Sequence, residues 1–239
     1  MQPYQVIAFD LDGTLTQHKS PLSAEGRLLL DRLSAHYTLL MAGAGDVLRI
    51  FDQMGRYPLD IIGNYGMQFG KWEEAAGLTI LRDERVPCDR TAVLETARQL
   101  RQKFGWAEYW GDSLEFHPSG CLTFPILGTA APLEEKLRYD PGREKRRAVY
   151  RAVCEAFGDY QVFIGGSSSF DLVPRPYNKY QALAAYADAR GCRHAEILFV
   201  GDDWGPGGND EPVYRSDFPF IPIEDYRTTA ERLDFLLRP

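Results

Sequence analysis

At 239 residues, with 44% apolar and 26% charged side chains, the chain has material for one substantial α/β core plus a smaller domain, and its composition excludes a disordered or fibrous protein. A net charge of −7 with no basic cluster argues against nucleic acid as a partner, because backbone phosphates require a concentrated positive footprint. No apolar run approaches bilayer length and no charged leader precedes the first strand, so no membrane association and a cytoplasmic location are expected. The four cysteines, Cys88, Cys121, Cys154 and Cys192, lack a zinc or redox spacing.

The first predicted element is the apolar run from Val6 to Phe9, which ends abruptly in Asp10-Leu11-Asp12-Gly13-Thr14-Leu15-Thr16. It reads as a strand covered on both faces that delivers reactive groups at its carboxyl end, where open α/β sheets bind ligands. A helix follows from Ser23-Ala24-Glu25-Gly26 through the leucines at 28–30 and 33. Tyr37 to Ala42 reads as the next strand, and Gly43-Ala44-Gly45-Asp46 leads into a helix from Val47 to Met54. That helix start offers free amides to phosphate oxygens, while Asp46 can simply cap it. Pro58 to Ile62 reads as a short strand and residues 63–69 as a turn into a hairpin.

Beyond about residue 83 the texture changes. A helix is expected from Thr91 to Phe104, extended pieces at Tyr109-Trp110, 114–116 and 122–124, a charged helix from Gly142 to Phe157, and strands at 160–164 and 169–173. This pattern implies an α+β cap with an antiparallel sheet, inserted into the first domain. The parallel pattern resumes with a helix from Lys179 to Arg190, the strand Ala195 to Val200, then Gly201-Asp202-Asp203 and Pro206-Gly207-Gly208-Asn209-Asp210. A strand around 218–223 and a helix from Thr228 to Leu237 close the chain. The expected boundaries are 1–82 and 177–239 for the core and 83–176 for the cap.

Side chains two apart in an extended segment project to one side, so Asp10 and Asp12 can address one substrate. Asp10 suits a carboxylate nucleophile and Asp12 a general acid and then base. Gly13 lets the backbone turn close to a phosphate, and Thr14 offers a hydroxyl. The string Phe-Asp-Leu-Asp-Gly-Thr-Leu-Thr resembles the first motif of the haloacid dehalogenase superfamily, whose members mostly transfer phosphoryl groups through an aspartate and Mg²⁺. Two strands ending in Asp give the oxygen-rich site that Mg²⁺ prefers, with Asp10, Asp202 and the Asp12 carbonyl as ligands. Lys179 would add a fixed positive charge beside the phosphate bound by Gly13, Thr14, Gly43, Ala44 and Gly45.

Over nearly the whole chain the sequence is similar to the phosphomannomutase branch of that superfamily, which implies a Rossmann-like core and an inserted α/β cap. Pro206 to Asp210, after Gly201-Asp202, matches the branch's final motif, giving Asp203, Asn209 and Asp210 supporting roles. Gly165-Gly166 followed by Ser169-Phe170-Asp171 resembles its substrate segment, where Ser169 and Asp171 would contact the sugar or its distal phosphate. Gly45 stands where the branch has a hydroxyl. The cap arginines that grip the non-reacting phosphate fall on His117, Thr129 and Lys136. Arg and Lys are not equivalent at a two-pronged phosphate site, and Thr carries no charge. At ~1.5–3 kcal/mol per lost charge-assisted contact, losing two weakens the grip by roughly 10² to 10⁴.

These departures favour a Mg²⁺-dependent phosphatase acting on a small phosphorylated sugar. The alternative is a hexose phosphomutase interconverting 1- and 6-phosphates, and a third reading, suggested by Gly45, is an inactive sugar-phosphate binder. The resemblance also implies a homodimer formed through the cap.

Overall fold

A computed structural model of the protein describes residues 4–238. β1 (Val6–Phe9) is buried at every residue. α1 (Ala24–Ser34) begins where the Ser23 side chain accepts the amide of Gly26, and it buries Leu29, Leu30 and Leu33 as one apolar stripe. β2 (Thr38–Ala42) and α2 (Val47–Gln53) follow, and Asp46 caps α2 by accepting the Arg49 amide. β3 (Asp60–Gly63) leads through a 3₁₀ turn at Asn64–Gly66 into β4 (Gln68–Glu73) and β5 (Gly77–Asp83). Next come α3 (Arg90–Phe104), β6 (Glu115–Phe116), β7 (Leu122–Pro125), α4 (Leu133–Tyr139), α5 (Glu144–Ala156), β8 (Tyr160–Phe163) and β9 (Ser169–Pro174). The last elements are α6 (Lys179–Arg190), β10 (Ile197–Gly201), α7 (Glu211–Tyr214), β11 (Phe220–Pro222) and α8 (Thr229–Arg232).

The chain forms two compact units. The first holds the described chain through Asp83, Asn178–Gly205 and everything from Asp210 on; the second holds Glu84–Tyr177 and Pro206–Asn209. In the first unit seven strands are ordered β11-β10-β1-β2-β3-β4-β5, parallel from β11 to β3 and antiparallel from β3 to β5. Alternation along the strands feeds two cores. Ile7, Phe9, Met41 and Val200 pack with Leu29, Leu33 and Ile50 on one face, whereas Val6, Ala8, Leu40 and Phe199 pack with Leu183, Tyr186 and Ala187 on the other. With both faces covered, the central strands must be apolar throughout, which is why they read as unbroken runs.

The second unit is a four-stranded antiparallel sheet, β6-β7-β9-β8. Leu122, Phe124, Val162, Phe170 and Leu172 share a face that packs against Val93, Ala97 and Leu100 of α3 and Val153 of α5. Beneath its surface, Arg146 and Asp140 form an ion pair at 2.9 Å with both side chains 1% exposed. The same guanidinium donates to the carbonyls of Gly165, Gly166 and Ser169 at 2.8–3.1 Å. One buried cation therefore fixes the loop that enters β9, and its own charge is compensated by Asp140 and three carbonyl dipoles.

The α/β core and α+β second unit are those the pattern implies, with local differences. Tyr109-Trp110 lies outside any strand. The helix expected from Thr228 to Leu237 is broken into the four residues of α8 and 3₁₀ turns at Tyr226–Thr228 and Asp234–Leu237. Among the described residues no helix is long and apolar enough to cross a membrane.

Candidate active site

Asp10 stands at the tip of β1, where its amide continues the ladder to the Val200 carbonyl at 2.9 Å. β10 runs parallel beside it with Phe9 opposite Val200, so Asp10 and Asp202 leave the same sheet edge on adjacent strands. Asn178 caps α6 by accepting the Gln181 amide at 2.9 Å, which places Lys179 at the first helical position. From there Lys179 Nζ donates to Asp10 Oδ1 at 2.7 Å and Asp210 Oδ1 at 2.6 Å. The lysine is 1% exposed and Asp210 not at all. A loop closed by two reciprocal bonds holds Asp210 there: the Asp203 amide donates to Asp210 Oδ2 and the Asp210 amide to the Asp203 carbonyl, both at 3.0 Å.

Carboxylate oxygens of Asp10, Asp202 and Asp210 lie within 4.8 Å of one another. Three acids around one ammonium, two of them buried and Asp202 partly so, leave uncompensated negative charge, and their protonation reflects it. Burial pushes the Asp10 carboxyl up to about 7, opposed by Lys179 and reinforced by Asp202. Burial also lifts Asp202 and Asp210 to about 6, each with a neighbouring carboxylate adding to the effect. Lys179 is pulled down by burial, but Asp10 and Asp210 outweigh that and hold it firmly charged. An all-oxygen donor set with surplus negative charge fits a hard divalent cation.

The residues after Asp10 shape this pocket by steric need. Gly13 has φ +94°, and a Cβ there would lie 2.3 Å from Asp202 Oδ2, so neither the turn nor the approach tolerates a side chain. Thr14, expected to offer its hydroxyl to phosphate, instead donates it to Asp202 Oδ1 at 3.0 Å from a fully buried position. It aims an acid of the cluster. Asp12 is turned toward α2: its Oδ1 accepts the Lys19 amide and Gln53 Nε2, each at 2.7 Å, and its Oδ2 lies 3.6 Å from Arg49 Nη2. Its side chain stays 17% exposed, anchored yet accessible.

In the loop before α2, Gly43 gives its amide to the Ile62 carbonyl at 2.9 Å, so it extends the sheet rather than offering that donor to phosphate. The Val47 amide is likewise taken by Gln68 Oε1 at 3.0 Å. Ala44 and Gly45 carry the remaining amides of the expected cradle. Gln53 and Arg49 were not singled out in the sequence, although their four-residue spacing on a helix directly after that cradle is a readable signal.

In the second unit the expected sugar-contacting residues are engaged locally. His117 Nε2 lies 3.0 Å from the hydroxyl of Thr123, itself paired with Asp171 across the sheet. Thr129 Oγ1 accepts the Asp112 amide at 2.8 Å, and Lys136 Nζ donates to the Thr129 carbonyl at 3.1 Å. The Ser169 hydroxyl donates to the Gly165 carbonyl at 3.0 Å, while the Asp171 carboxylate lies so close to Gly165 that a Cβ there would meet it at 2.3 Å. Asn209 groups with this second unit, whereas Asp203 and Asp210 belong to the first.

Comparison with known proteins follows the same lines. The family model for eukaryotic phosphomannomutase matches residues 108–221. The phosphomannomutase of Saccharomyces cerevisiae is 27% identical over 229 residues, covering 89% of this chain and 86% of its own, and that of Triticum aestivum is 26% identical over 227 residues, covering 87% and 85%. Among solved structures, an N-terminally truncated, IMP-bound IMP-nucleotidase from Plasmodium falciparum superposes with a TM-score of 0.69 at 14% identity, covering 97% of this chain and 67% of that one. A haloacid dehalogenase-like hydrolase from Bacteroides thetaiotaomicron gives 0.59 at 17%, covering 98% and 99%. At these identities the structures speak to the fold.

Proposed function

We propose that this chain, which resembles the phosphomannomutase branch of the haloacid dehalogenase superfamily, transfers a phosphoryl group of a phosphorylated sugar through Asp10. The observation that carries this reading is the buried Asp10–Lys179–Asp210 arrangement beside Asp202. Lys179 holds Oδ1 of Asp10 and leaves Oδ2 to attack phosphorus. As the P–O bond to the sugar breaks, Asp12 protonates the departing oxygen, and an acyl phosphate remains on Asp10. In the second half Asp12 takes a proton from the incoming acceptor, water in hydrolysis or a sugar hydroxyl in isomerisation, whose oxygen attacks phosphorus and frees the Asp10 carboxylate.

Asp10, Asp202 and Asp210 supply oxygens suited to Mg²⁺, which when bound neutralises phosphate charge and the surplus charge of the cluster. Their raised pKa values give this a sign: near pH 5 the acids hold protons that a cation must displace, and above about 7 they do not. Added Mg²⁺ should therefore raise the melting temperature more at pH 8 than at pH 5. A shift equal at both pH values, or absent, speaks against the cluster as the metal site.

Isomerisation of a hexose phosphate is the reading that the names of the relatives support, since they cover nearly all of this chain. Hydrolysis is favoured by one observation: His117, Thr129 and Lys136 place no arginine in the second unit's expected phosphate grip, and all three already hold local partners. Phosphorus NMR of a hexose 1- or 6-phosphate incubated with protein and Mg²⁺, with and without the matching bisphosphate, separates the two. Bisphosphate-dependent isomer identifies the mutase, free phosphate without isomer the phosphatase. An unchanged spectrum across a sugar-phosphate panel sinks sugar-phosphate transfer.

A further inference from the structure

We propose that Arg49 is a second phosphate-gripping cation of this site, accommodated there by the missing side chain of Gly45; the assignment rests on the phosphoryl-transfer reading and deepens it. The Arg49 guanidinium lies against the backbone of Gly45. A Cβ built on that glycine would stand 2.3 Å from Arg49 Nε and 2.4 Å from Nη2. The volume that any side chain at position 45 would enter is thus filled by a cation reaching in from the next turn of α2. Gly45 has no positive φ to explain it, so its local significance is this space.

The contacts of Arg49 leave most of its donors uncommitted. Asp12 Oδ1 is already satisfied by two donors at 2.7 Å, and the guanidinium stands 3.6 Å from the other oxygen, outside hydrogen-bonding distance. Among the described residues its one close side-chain partner is Gln53 Oε1, 3.2 Å from Nη1. The side chain is 42% exposed and so open to a ligand. Five N–H donors in a planar fork can keep Asp12 and Gln53 while binding phosphate oxygens, which a lysine's point charge cannot reproduce. Charge favours it too: Lys179, the buried cation of the cluster, is already shared by Asp10 and Asp210, so an exposed guanidinium beside Asp12 adds positive charge where a phosphate dianion would arrive.

Direct calorimetric binding of inorganic phosphate in the presence of Mg²⁺ tests this without turnover. Arg49→Gln should weaken binding about 10- to 100-fold, the range of a lost charge-assisted contact. Arg49→Lys should fall between the two, and the melting temperature should hold because the side chain is half-exposed. Gln53→Met, which removes one anchor of Asp12 and the Gln53 bond of Arg49 but keeps both charges, should change binding by less than about threefold. Unchanged affinity in Arg49→Gln overturns the assignment alone. An equal loss in Gln53→Met shows that placement by Gln53, not the Arg49 charge, carries the binding and overturns it too. A parent protein that binds no phosphate overturns it together with the transfer reading.

Discussion

Asp10→Asn should stop turnover, by about 10⁴-fold or more, while leaving the fold intact. Removing a nucleophile costs about as much as removing its whole catalytic assembly, because the covalent path is lost outright. Asparagine keeps the size of the side chain and an oxygen for Lys179, and Lys179 retains Asp210 at 2.6 Å. One negative charge disappears from a place where burial already pushes the carboxyl up to about 7, so stability should stay within about 1 kcal/mol of the parent or rise. The checks are initial rates on the responsive sugar phosphate and mass spectrometry of acid-quenched protein, which should show a phosphorylated species in the parent and none in the variant. Turnover within tenfold of the parent would remove Asp10 from the mechanism.

Lys179→Met should be the most destabilising single change at the site. It leaves Asp10 and Asp210 buried with no cation between them, and breaking a buried pair from one side costs about 3–5 kcal/mol. For a chain of this size the melting temperature should fall by roughly 6–20 °C. The sign of its pH dependence follows from the carboxyls. Without Lys179 their folded pKa values rise further above the unfolded ones, so the folded state takes up protons first and the deficit shrinks as pH falls. The loss should be largest near pH 8 and smallest near pH 5, and Asp10→Asn added to Lys179→Met should recover part of it. A deficit independent of pH, or a melting temperature equal to that of the parent, contradicts the electrostatic account.

The parts of this molecule that were legible in sequence are those where burial and chemistry coincide. β1 and β10 are covered on both faces, so they had to be apolar runs, and the change to aspartate at each tip marks the sheet edge. α6 was readable because Asn178 caps it and Gly191, with φ +66°, ends it. β5 was not, since Thr79, Ile80 and Leu81 are all exposed at the sheet edge and no core dictates their alternation. α4 buries none of its residues and leaves Leu133 and Leu137 in solvent, so it lacks the stripe that betrays a helix.

At the site, sequence spacing could name Asp10, Asp12 and Asp202 as candidates but not their partners. The bond from Thr14 to Asp202 joins residues 188 positions apart, and its donor had an equally reasonable use on phosphate. Gln53 and Arg49 escaped for a different reason. Glutamine and arginine on a helix are ordinary surface residues until a fold brings a carboxylate to them, and only the turn after Asp10 delivers Asp12.

The separation of those partners in the chain bears on how the protein comes into being. Lys179 meets Asp10 across 169 residues and Thr14 meets Asp202 across 188, while β1 can pair with β2 at once. During synthesis the tip of β1 therefore waits, with one flank of its ladder open, until the whole second unit has emerged and β10 arrives. Asp10 can gain its lysine only at that late stage. A nascent chain on the ribosome can contain Asp10, Asp12 and the loop before α2 and still lack the assembled acidic cluster, which is completed only as the last strands dock.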